Sequence, residues 1–135
     1  VIFGAGKSES SLGNMNWMIY IGQSNGKIKG AIHTIGKQEK FLEILDKNQI
    51  ENRSTHIVFM KTKEGFIKLF VNGQLANEAE FNNSLIGWGG IPSGNLLVGG
   101  TESGSHNWQG AFYLMALYDK ALTSEEVLAS FHAGY

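Results

Sequence analysis

The chain reads as an all-β protein, an antiparallel β-sandwich of short strands with a short C-terminal helix. Three observations carry that reading. Short apolar or alternating runs recur along the chain, separated by turn residues. Glycine is abundant, 18 residues against a single proline in 135, which suits many tight turns and not a disordered linker. The hydrophobic period changes only at the end, where Thr123-Ser124-Glu125-Glu126 has the form of a capping box ahead of Val127, Leu128 and Phe131.

The elements follow in order. Val1 to Ala5 is a short strand, ended by the polar loop Gly6 to Asn14. Asn16 to Gly22 places Trp17, Ile19 and Ile21 on one side and Met18 and Tyr20 on the other, as a strand does. Ser24-Asn25-Gly26 is a hairpin signal, because Asn-Gly adopts positive φ at both central positions of a type I′ turn. Lys27 to Thr34 is the return strand. Between Gly36 and Asn52, Phe41, Leu42, Ile44 and Leu45 fit either one helical face or a further strand, with no clear cap to choose.

Thr55 to Leu75 is the most regular stretch. It predicts two strands folded back at Lys63-Glu64-Gly65, and a second turn at Asn72-Gly73 leading to a third strand, Leu75 to Phe81. Ile67, Leu69 and Val71 make one face wholly aliphatic, while Phe66, Lys68 and Phe70 make the other mixed. Such a strand packs on a core at one face and meets partial cover at the other. Asn82 to Gly94 is a loop that contains Trp88, Leu96 to Gly99 reads as a buried strand, and Thr101 to Asn107 is turn-like. Ala111 to Tyr118 is a long apolar strand, and a helix of about two turns then ends at Gly134.

Length and composition bound the function. A chain of 135 residues is a single domain that needs no covalent staples. Cysteine is absent, so disulfides, thiolate metal sites and cysteine nucleophiles are all excluded. Eleven basic residues stand against twelve acidic ones, and Arg53 is the sole arginine, so the basic surface of a general nucleic-acid binder is lacking. No apolar run approaches the roughly 20 residues that span a bilayer, and no charged-then-apolar leader opens the chain. The chain begins without Met in Val1-Ile2-Phe3-Gly4, which looks like the inside of a strand, so we expect a processed protein or the C-terminal part of a longer one.

Two blocks resemble a known family. His56-Ile57-Val58 through Leu69-Phe70-Val71-Asn72-Gly73-Gln74-Leu75 is similar to its His-Val-Val strand followed by Leu-Tyr-Val-Asn-Gly. Leu97-Val98-Gly99-Gly100, then Trp108-Gln109-Gly110-Ala111-Phe112 through Leu117-Tyr118-Asp119-Lys120-Ala121-Leu122-Thr123-Ser124-Glu125-Glu126-Val127, resembles its closing strand and helix. Together they resemble the laminin G-like domain of the concanavalin A-like lectin/glucanase superfamily, closely over residues 53–134 and loosely before that. The resemblance implies a jelly-roll sandwich, non-catalytic and extracytoplasmic (secreted, periplasmic or cell-surface), within a multidomain protein. It also implies an opening strand that pairs with the closing strand and would lie before Val1. Without it, residues 111–118 present an open edge, so we expect a partner segment or chain to complete the sheet.

Chemistry is sparse. Glycanases of this fold carry alternating carboxylates on one strand, and no such Glu-x-Asp-x-x-Glu strand is present. Glu78 and Glu80 alternate but read as solvent-facing residues of an edge strand. The lyases of the fold use Gln-x-His with Arg and Tyr, whereas Ala31-Ile32-His33 lacks the Gln. His33, His56, His106 and His132 have no metal-ligand spacing, and His56 reads as a packed or hydrogen-bonded structural residue. Sugar recognition relies on aromatic rings beside polar side chains. Candidate ligand-binding residues are therefore Trp88, Trp108, His106, Asn107 and Gln109. Trp108 also suits a plug at one end of the sandwich, Trp88 fits either role, and Trp17 reads as core.

The residues call for no cofactor. The resemblance raises calcium, for which Glu102 would be the carboxylate, but one carboxylate is thin support for an ion that takes six or more oxygens. The expected function is a non-catalytic recognition module for a glycan or surface protein. The alternative is a structural or assembly domain inside a larger protein. Solvent-facing Trp88 and Trp108 beside a groove would favour the first, buried rings the second.

Overall fold

The computed structural model describes residues 2–8, 15–34, 40–46, 48, 53–82, 95–100 and 107–134. The described strands form two antiparallel sheets. In the first, β1 (Phe3–Ser8), β2 (Met15–Ser24), β3 (Lys27–Thr34), β4 (Lys40–Leu45) and β8 (Asn95–Val98) lie in the order β4-β3-β2-β1-β8. The second has the order β5-β6-β7, from β5 (Ile57–Lys61), β6 (Phe66–Val71) and β7 (Gln74–Glu80). Helix α1 (Ser124–Ala133) follows.

The turns form where their chemistry demands. Asn25 and Gly26 have φ of 50° and 74°, and Asn72 and Gly73 have 52° and 78°, the paired positive values of type I′ turns. At the β5–β6 turn, Gly65 at φ 88° lets the chain reverse while its carbonyl accepts from the Phe81 amide at 2.6 Å. The open choice within residues 36–52 resolves as strand β4, whose Ile44 lies opposite Gly30 and is buried. Pairing along a preformed strand satisfies the backbone groups that an uncapped helix would have left exposed.

The sheets stack through an apolar core of Ile2, Ile28, Ile32, Ile44, Ile67, Leu69 and Phe81, with Ile57, Phe59, Val71 and Trp108 packed against it. Ile67 and Leu69 are wholly buried, so the aliphatic face of β6 is the core face. Gly30 on β3 makes room for the Phe59 ring from β5, because a β-carbon there would land within the ring. The mixed face of β6 receives the partial cover expected of it. Phe70 packs with Met60 of β5 and with Val127 of α1 in a second, smaller cluster.

Helix α1 starts as predicted. The Thr123 hydroxyl accepts from the Glu126 amide at 3.2 Å, and the Glu126 carboxylate accepts from the Thr123 amide at 2.8 Å. Gly134, at φ 64°, ends it with its N–H donating to the Phe131 carbonyl. At ten residues the helix is longer than the two turns expected, and of its apolar face only Val127 is fully buried.

Three further expectations need correction. β1 runs on to Ser8, past the loop start expected at Gly6, because a register shift between Ala5 and Gly6 lets it continue along β2. β8 is not buried: Leu96 and Val98 are 56% and 43% exposed, since it is the edge strand of its sheet. Residues 111–118 form no strand, and all are exposed. Strand character depends on a partner ladder, and residues 111–118 pair with no described strand of either sheet.

Candidate functional site

A cleft of about 1250 Å³ opens between β5 and residues 111–122. Side chains from both faces of β5 line it, Ile57 and Phe59 from the core face and Val58 and Met60 from the helix face. A cleft bordered by both faces of one strand lies beside its edge. Its floor reaches the first sheet at Ile2, Ile19 and Ile28, and its opposite wall carries Leu114, Met115 and Leu117. Those three side chains are 63%, 47% and 75% exposed.

The backbone at this edge follows from the ladder. Thr62 donates to the Phe66 carbonyl and Asn72 donates to the His56 carbonyl, so the even-numbered residues of β5 exchange bonds with β6. In an antiparallel pair the intervening residues turn their N–H and C=O outwards. Ile57, Phe59 and Lys61 therefore present their peptide groups to the cleft. The sequence pattern did not single them out.

Trp108 borders the cleft and packs on the main core, tied to the end of β8 by its amide bond to the Gly99 carbonyl at 2.7 Å. Its indole Nε1 is buried without a hydrogen-bond partner. Gly110 allows this fit, since a β-carbon there would sit 2.5 Å from that nitrogen. The partly buried ring therefore packs against the core with its nitrogen inward. Asn107 and Gln109 flank it, are exposed and also line the cleft. Trp88, His106 and Glu102 lie outside the described residues, as does the side chain of Trp17.

His56 stands at the opening of β5. Its amide donates to the Asn72 side-chain oxygen at 3.0 Å, and its ring lies 5.9 Å from that of Phe131 on α1. The imidazole Nδ1 is buried without a partner, and burial lowers its pKa below the ordinary 6.5. This is the packed structural histidine expected. Glu78 and Glu80 are exposed on edge strand β7, and Glu78 pairs with Lys68 across the ladder at 3.3 Å. Among the described residues, no three acidic or histidine side chains gather as metal ligands.

Comparison with known proteins agrees with this architecture. The chain is similar to the crystal structure of an S-layer domain-containing protein (residues 221–444) from Clostridium thermocellum, with a TM-score of 0.51 and 19% identity. The match covers 84% of this chain and 55% of that one, so the chain spans about half the length of this neighbour. At that identity the likeness shows the fold. No curated protein shows significant similarity. A family model matches residues 1–128, and with the paired antiparallel sheets and the helix docked on the second, the chain belongs to the laminin G-like family of the concanavalin A-like lectin/glucanases superfamily.

Proposed function

We propose that this domain is a non-catalytic assembly module of a larger, extracytoplasmic protein, which holds a neighbouring polypeptide in the cleft beside β5. The observation that carries the reading is the cleft's apolar wall, where Leu114, Met115 and Leu117 stand exposed opposite a strand edge that pairs with no other described strand. Exposed apolar surface of this kind marks an interaction site on a soluble domain. The packing of Trp108 against the core tilts the choice from glycan to polypeptide, because its ring is partly engaged there. The family membership and the S-layer protein neighbour support a surface context.

A second reading, glycan recognition, draws on the exposed amides of Asn107 and Gln109, which line the same cleft as the exposed Tyr118. One pair of measurements separates the two. The isolated chain is applied to a glycan array with Trp fluorescence as readout and Trp88→Ala as control, and its melting temperature is compared with that of the same domain inside the full-length protein. The assembly reading expects no glycan retained and a higher melting temperature in the full-length protein. Glycan capture that is lost in Trp88→Ala or Gln109→Ala, with unchanged melting temperature, establishes the second reading instead.

A further inference from the structure

We infer that helix α1 is an acid-released latch: protonation of His56 frees its C-terminal half, residues 128–133, from the β6–β7 turn, while its N-terminal half stays docked. The latch works whatever occupies the cleft. It is built on a close approach at Gly73, where a β-carbon would lie 3.0 Å from Cδ1 of Leu128 and 3.1 Å from Cδ1 of Phe131. His56 joins the same contact from the opening of β5. Its amide is tied to the Asn72 side-chain oxygen at 3.0 Å, and its ring meets that of Phe131 at 5.9 Å. Its Nδ1 is buried with no hydrogen-bond partner.

A neutral imidazole tolerates this seat, because the tautomer with its proton on Nε2 leaves Nδ1 a bare acceptor. An imidazolium carries N–H on both nitrogens and would bury a charged donor with nothing to accept from it. The ring must then turn out to water, and in leaving it gives up Phe131. Asn72 and Gly73 are uncharged. The charged or titratable groups on the other neighbouring segments are Arg53 ahead of β5, Asp119 and Lys120 on the cleft wall, and His132 beside Phe131. None of them holds the proton on His56, since burial is the cause of its lowered pKa. The docked helix therefore binds that proton less readily than the released one. Docking is at full strength above the ordinary 6.5 and weakens below it, by up to about tenfold per pH unit until the docked-state value is passed.

The N-terminal half has anchors of its own. Val127 is wholly buried against Met60 and Phe70, and the capping-box carboxyl of Glu126, bonded to Lys120 and Thr123, keeps its charge below the usual carboxylate range. A ten-residue helix does not persist in water unaided, so the freed half frays.

The test is NMR on residues 1–135, titrated from pH 7.5 to 5. As His56 takes up its proton, the nuclear Overhauser contacts from its ring to Phe131 and from Gly73 to Leu128 should vanish, and the amide protection of residues 131–133 should fall about tenfold. The Val127 methyl signals and the protection of the Val58 and Met60 amides should hold. His132→Gln should leave the midpoint in place, whereas His56→Phe and His56→Gln should each abolish the transition. Contacts that persist while His56 titrates overturn the latch, as does a ring that stays neutral until the whole domain unfolds. Loss of Val58 and Met60 protection together with that of α1 is global unfolding and overturns it too. A transition retained in both His56 variants assigns the release to another group and overturns the role of His56.

Discussion

His56 joins three parts of the molecule: its amide bonds Asn72 in the β6–β7 turn, its ring meets Phe131 of α1, and its Nδ1 is buried beside the cleft. Burial disfavours the imidazolium, so the folded state binds a proton less readily than the unfolded chain. The contribution is therefore fully present above the ordinary value of 6.5 and is lost as the pH falls below it towards the folded-state value. Urea unfolding measured between pH 7.5 and 5 should show stability declining with acidification, and His56→Phe should flatten that decline. An unchanged slope in the variant would place the acid sensitivity elsewhere. His56 was legible from its position at a strand start, yet its ring partner was not, because Phe131 lies 75 positions along the chain and only the docked helix brings it near.

Helix α1 owes its existence to local chemistry and its position to packing. Thr123 and Glu126 satisfy each other's amides, and Lys120 extends the set with a 2.8 Å bond to Glu126. The Lys120 ammonium, then the Thr123 amide, hold the Glu126 carboxyl below its ordinary range. This exposed group keeps its charge and its cap above the ordinary carboxylate value and gives them up as the pH falls through the lowered one. Thr123→Ala should destabilise the domain by about 1 kcal/mol, seen as a fall of about 4 °C in melting temperature by circular dichroism. No change would mean that docking of Val127 alone defines the helix start. The cap was readable from four consecutive residues because a capping box is a contact between neighbours. The burial of Val127, with Leu128 42% exposed and Phe131 37%, depends instead on which residues of β5 and β6 lie beneath.

At the scale of the whole molecule, the described residues form a sandwich in which none of them covers the cleft beside β5. Its core face joins β3 to β5 through Gly30 and Phe59, but residues 111–118 remain outside both sheets and expose a run of large apolar side chains. Such a surface promotes self-association. Leu117, 75% exposed, can be replaced without disturbing packing, so Leu117→Lys should change the unfolding free energy of the 1–135 form by no more than about 0.5 kcal/mol. The same substitution should reduce association measured by sedimentation velocity. A large loss of stability would show that the segment packs more tightly than its exposure indicates.

The sequence by itself determined the elements whose information is local. Both Asn-Gly turns, the two-faced strand Phe66–Val71, the capping box and the glycine stop could all be read from adjacent residues, since turn dihedrals, side-chain alternation and caps are set within a few positions. Only the tertiary structure decided between helix and strand for residues 40–45, exposed β8 as an edge, packed Trp108 against the core and left residues 114–118 without a ladder to any described strand. Each of these depends on a partner distant in sequence. A strand is a strand only when another backbone meets its hydrogen bonds, and an apolar residue is core only when another layer covers it. The cleft beside β5 is the clearest case: its apolar wall is written in residues 111–118, but that nothing described covers it became visible only once both sheets were assembled.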